Sequence, residues 1–205
     1  MYHLLYILII SLANNLDNIG VRIAYSIRGI KISIPINVWI SIITFIISGF
    51  AAYSGTLVTG FLSKQLASVL SMALLSGIGL WIMVEPYMKK NSNVPYGSQQ
   101  ESAPTIWHVF TNPSKADRDN SKHIDFKEAT VLGIALSINN VGGGLGAGMI
   151  GLNSFWVGFF SSLISFIALW AGNYITEYFK KWNIGNKATV VAGIALILIG
   201  VEQIL

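Results

Sequence analysis

Cysteine is absent from this chain, and charge is scarce: Asp, Glu, Lys and Arg make up 11% of 205 residues, and histidine occurs three times. The first absence excludes disulfide frameworks and thiolate metal sites and leaves the redox compartment unread. The second excludes an ordinary water-soluble domain, in which about a quarter of the residues are charged. The net charge of +4 is spread over several loops rather than massed in one patch, so nucleic acid is not an expected partner. A basic leader and a small-residue cleavage pattern are missing from the first segment, which therefore does not read as a signal peptide. Nucleophile elbows, phosphate loops and zinc-hydrolase patterns are missing as well, and an enzyme is not expected.

What the chain has in quantity is apolar surface, with 53% hydrophobic residues and a mean hydropathy of +0.61. Six runs, 2–27, 35–60, 65–87, 127–150, 154–179 and 187–205, are long enough to cross about 30 Å of hydrocarbon as helices. Ten-residue alternating strands are lacking, which excludes a membrane barrel. One long polar connection, 88–126, is the candidate water-exposed element. With the amino terminus outside, nearly all Lys and Arg fall on the cytoplasmic side, Lys64 alone lies outside, and Arg22 is left in the membrane. The expectation is a multi-pass protein of the cell membrane with both termini outside and the long loop in the cytoplasm.

The two halves carry a faint internal repeat. A shift of 122 lays Asp17-Asn18-Ile19-Gly20 on Asn139-Asn140-Val141-Gly142, and a shift of 117 lays Trp39 on Trp156 and Gly55 on Gly172. Because three helices precede the fourth, the matching helices cross in opposite directions. The predicted fold is an all-α integral membrane protein, its six transmembrane helices arranged as two inverted three-helix repeats, 1–87 and 127–205, joined by the loop 88–126.

The polar residues inside the apolar runs are the candidates for chemistry. Asp17 lies 15 helical steps from Tyr2, or about 22 Å, deep in the membrane, where an ionisable group marks a functional site by default. Asn14 and Asn18 accompany it, and the fourth helix brings Ser137, Asn139 and Asn140 ahead of the run Gly142-Gly143-Gly144-Leu145-Gly146-Ala147-Gly148. Carboxylate and amide oxygens suit hard cations such as manganese, magnesium or calcium. The glycines admit a neighbouring helix at close range or let the backbone unwind and lend carbonyls. Asparagines also serve as interhelical glue, and Arg22, five residues from Asp17, has poor geometry for direct pairing but can meet it through water. As a fixed cation Arg22 would repel a metal or stand in for it.

A second constellation is "DRDNSKHIDFKE", 117–128. Asp117, Asp119, Ser121, His123 through its carbonyl, Asp125 and Glu128 stand where an EF-hand loop carries its calcium ligands. Ser121 is a weak ligand, and Lys122 occupies the place where glycine makes the sharp left-handed turn. The alternative is a solvated loop ending in a helix cap, Asp125-x-x-Glu128.

The stretches "LDNIGVRIAYSIRGIKI" and "FKEATVLGIALSINNVGGGLGAGMIGL", in this six-helix layout, resemble the family called putative manganese efflux pumps, and within it the sporulation membrane protein subgroup. The resemblance implies a six-helix exporter of the lysine-exporter-like superfamily, with an acid in both the first and the fourth helix. Asp17 matches the first acid, and Asn139 stands at the second, so one carboxylate is missing. The expected function is export of a divalent cation, manganese favoured, held by Asp17, Asn18, Asn139 and Asn140 while the halves rock. The rivals are a membrane sensor or interaction protein with a metal-binding loop, and an exporter of another small cation. No cofactor is required; the expected partners are the metal cation and the lipid bilayer, with a homodimer left open.

Overall fold

The structure is a computed structural model, and it describes residues 2–62, 65–66, 69–70, 72–77, 80, 84, 109, 116–182, 194, 197–198 and 201. The side chains of 2, 17, 23, 24, 27, 28 and 172–182 lie outside the described set. Among the described residues the helices are α1 (Tyr2–Asn14), α2 (Leu16–Arg28), α3 (Ile34–Gly60), α4 (Phe126–Met149) and α5 (Ser154–Trp182). Among the described residues there is no strand, only an isolated parallel bridge between Lys31 and His123. Among the described residues three helices, Ile34–Gly60, Phe126–Met149 and Ser154–Ala171, are long and apolar enough to cross a bilayer. The expected third and sixth crossings fall mostly outside the described residues.

The faces of α3 explain its packing. Val38, Ile42, Ile46, Phe50, Tyr53 and Leu57 recur every three or four residues and are exposed. Ile40, Thr44, Ser48, Ala52 and Gly55 lie on the opposite face and are buried. Apolar outside and partly polar inside is the arrangement a lipid solvent favours, because burial in protein no longer gains hydrophobic energy over contact with acyl chains. Close packing takes its place. A Cβ on Gly148 would run into the Ala52 carbonyl of α3, so only glycine permits this approach. The glycine run leaves α4 unbroken through residue 149, which means it serves contact rather than unwinding.

Two apolar clusters close the ends of the bundle. One gathers Val21, Tyr25, Ile36, Ile40, Leu132 and Leu169 with Ile124 of the loop; the other gathers Ile7, Ile10, Ala52, Leu75, Ala147 and Val157. Helices α3, α4 and α5 contribute to both, and α1 to the second with α2 to the first, so the order gives the direction: α1–α2 and α5 run one way, α3 and α4 the other.

Candidate functional site

Most buried polar residues of the helices fall between these clusters, while Ser11, Arg22 and Asn37 lie at the level of the clusters themselves. Asn14, Asn15 and Asn18 lie between Ala13 and Val21, Thr44 and Ser48 between Ile40 and Ala52, Ser137 and Asn140 between Leu136 and Ala147, and Ser161 and Ser165 between Val157 and Leu169. The result is a polar middle layer between two apolar ends.

At this level the first crossing is broken. The single helix expected over 2–27 is instead two helices of 13 residues each, separated by Asn15 at φ −114° and ψ 11°. Asn15 Nδ2 donates to the Ser11 carbonyl at 2.8 Å, the acceptor its own backbone N–H would use in a continuous helix. That N–H turns to the Leu12 carbonyl at 3.2 Å, and Asn18 N–H bonds the Asn15 carbonyl at 3.2 Å. Asparagine amides compete with the backbone in this way, which is why they disfavour helix interiors.

The same side chain is the hub of an interhelical network. Asn15 Nδ2 also donates to Asn140 Oδ1 at 3.3 Å, and Asn140 Nδ2 donates back to Asn15 Oδ1 at 3.5 Å. Asn18 Nδ2 donates to Asn15 Oδ1 at 3.1 Å and to Ser165 Oγ at 2.9 Å. One turn away Ser161 Oγ donates to Ser11 Oγ at 3.2 Å. Asn14 lies against Gly143, where a Cβ would fall on its amide. The carbonyl oxygens of Asn14 and Asn18 are buried and accept no hydrogen bond among the described residues. An orphaned buried acceptor costs its full desolvation, so such groups point to a missing donor or cation.

Of the remaining expected site residues, Asp17 is the second residue of α2, in the first turn, where the helix dipole favours a negative charge; its side chain lies outside the described residues. Asn139 is half-buried beside Asn140. Ser137 is drawn to α3 instead, its hydroxyl 3.1 Å from Thr44 Oγ1. Arg22 is buried and reaches along its own helix, Nη1 donating to the Ile30 carbonyl at 3.3 Å just past the αL cap at Gly29. A cation at a helix C-terminus is favourably placed. The sequence reading of Asn14 and Asn15, taken singly, as interhelical glue holds for Asn15, which bonds Asn140; the helix break at Asn15 and the part of Ser11 were not read from the sequence.

The loop 117–128 lies at the end where α3 and α4 begin. Asp125 and Glu128 form a complete capping box for α4, with Glu128 N–H to Asp125 Oδ1 at 2.8 Å and Asp125 N–H to Glu128 Oε2 at 3.1 Å. The left-handed turn expected at Lys122 is present, at φ 62°. Carboxylate oxygens of Asp117, Asp119 and Glu128 lie within 4.8 Å of one another; Asp125 is taken up by the cap. Hydrogen bonding from Ser121, whose backbone N–H donates to Asp119 Oδ1 at 3.0 Å, holds the Asp119 carboxyl below the usual carboxylate range. The Ser121 hydroxyl itself donates to the His123 carbonyl at 2.9 Å.

Long apolar helices around a polar middle layer mark a multi-pass membrane protein. The chain belongs to the family described as "Putative manganese efflux pump", which residues 103–205 match. It is also similar to the "Probable sporulation protein YtaF" of Bacillus subtilis (strain 168), 29% identical over 210 residues that cover 97% of this chain and 98% of that protein. No solved structure matches the chain.

Proposed function

We propose that this protein exports a divalent metal cation, manganese first, by alternating access around the break between α1 and α2. The carrying observation is the pair of buried amide oxygens, on Asn14 and Asn18, that accept nothing among the described residues and flank the break. Such oxygens, with the carboxylate of Asp17 and the amides of Asn139 and Asn140, form a donor set without imidazole or sulfur, which favours manganese or magnesium over zinc or copper. A broken helix presents a carbonyl end and an amide end at mid-depth; the carbonyl end of α1 attracts a cation, and Asp17 offsets the positive end of α2.

The six-crossing layout as inverted repeats 1–87 and 127–205, with the 88–126 loop cytoplasmic, belongs to this reading. It is supported by the opposite directions of α1–α2 and α4, and of α3 and α5. In the proposed cycle the amides of the second half close on the ion held by the first, and the two apolar clusters open in turn. Asp17 carries the charge that couples metal to a counter-moving proton or sodium ion.

The test is manganese flux into proteoliposomes loaded with a divalent-sensitive dye. Flux in the parent should fall by about tenfold or more in Asp17→Asn, because no second acid shares the ion's charge. No flux in the parent, or equal flux in the variant, overturns the proposal.

A further inference from the structure

The loop 117–128 plays no part in the transport reading, yet it concentrates negative charge in an unusual way. Asp117 and Glu128 are 8% and 6% exposed, and with Asp119 they bring three carboxylate oxygens within 4.8 Å of one another. Most of their oxygens have donors. Glu128 Oε1 accepts from Arg118 N–H at 2.7 Å, Oε2 from Asp125 N–H at 3.1 Å, and Asp117 Oδ2 from Lys122 N–H at 3.1 Å. Asp117 Oδ1 is buried and accepts nothing among the described residues. A helix cap explains Glu128 and Asp125, but it explains neither this oxygen nor the convergence of Asp117 and Asp119 on Glu128.

The loop is also held in its curve from outside. Lys31, in the turn between α2 and α3, donates its N–H to the Lys122 carbonyl at 2.8 Å and accepts from Ile124 N–H at 3.2 Å, and Ile124 is packed in the core. The backbone at residues 122–124 is therefore held before any ligand arrives, which lowers the ordering cost of binding.

We propose that residues 117–128 bind one hard divalent cation through the carboxylates of Asp117, Asp119 and Glu128. Calcium suits the set best, since it tolerates irregular oxygen shells completed by water, whereas magnesium demands near-octahedral geometry. Lys122 opposes the ion with its charge and sits at a φ that glycine adopts more readily, so the site is a weak one. Glu128 is at once ligand and third residue of the α4 cap, and occupancy therefore stiffens the start of the helix that carries Asn140.

The full-length protein in detergent, stripped of metal, is titrated calorimetrically with calcium, manganese and magnesium chloride in turn. The parent should show saturable one-site binding of at least one ion, with Kd about 10⁻⁵ to 10⁻³ M. Asp119→Asn, at an exposed position whose loss does not threaten folding, should weaken it about tenfold or more, and Lys122→Gly should tighten it about threefold or more. The same binding should persist in Asp17→Asn. No saturable heat with any of the three ions, heat unchanged by Asp119→Asn, or heat lost only in Asp17→Asn overturns the proposal; in the last case the ion sits in the membrane centre.

Discussion

Asn15 does the work of two residues: it ends one helix by bonding Ser11, and it joins that end to Asn140 and Asn18. Asn15→Leu removes the competitor for the Ser11 carbonyl and takes away both hydrogen bonds of the Asn140 amide, while Asn18 keeps its bond to Ser165. Loss of stability should be about 1–3 kcal/mol for each buried group left unpaired, read as a lower unfolding temperature in detergent. Manganese flux should fall with it. Asn139→Asp tests the opposite direction, by returning an acid to the fourth crossing. A second carboxylate near the ion raises its affinity through charge count, and manganese flux at low concentration should rise about fivefold or more. Asn18 and Asn140, which the network brings together through Asn15, were legible in the sequence because polar groups stand out in apolar runs. Asn15 was legible as interhelical glue but not as the end of α1, because the break depends on its amide taking the Ser11 carbonyl from the backbone.

On the scale of elements, α3 and α4 depend on backbone approach rather than on large side chains. Gly148→Ala would set a methyl group against the Ala52 carbonyl, which cannot move without shifting α3. Overpacking of this kind should cost about 1–3 kcal/mol in thermal stability, while Gly60→Ala, with open space around it, serves as the neutral control. At the start of α4, Glu128→Gln preserves an acceptor for the capping box and Glu128→Ala does not. The alanine variant should be the less stable of the two by about 1 kcal/mol. The glycine run announced close contact or unwinding with equal force. Close contact prevailed because Gly143 and Gly148 face Asn14 and Ala52, and the helix between them stays hydrogen-bonded to Met149.

For the molecule as a whole, the proposed rocking motion separates α1, of the first half, from α5, of the second. Ser11 and Ser161 meet across that boundary with their hydroxyls 3.2 Å apart. The natural chain has no cysteine, so Ser11→Cys with Ser161→Cys provides a cross-link free of background. Oxidation should join α1 to α5 and lower manganese flux by about tenfold, and reduction should restore it. Flux that survives complete cross-linking would mean that these helices move as one body.

Composition by itself determined that this chain belongs in a bilayer, since 53% hydrophobic residues and so few charges leave no water-soluble solution. The loop's capping box and left-handed turn were also readable, because both are local and depend on residues a few positions apart. Tertiary structure alone decided the break at Asn15, the choice of Asn140 as its partner, the diversion of Ser137 to Thr44 and the reach of Arg22 to Ile30. The physical reason is shared by all four. In a medium without water every buried polar group must find a partner within the protein, and which partner it finds is set by the packing of helices distant in sequence.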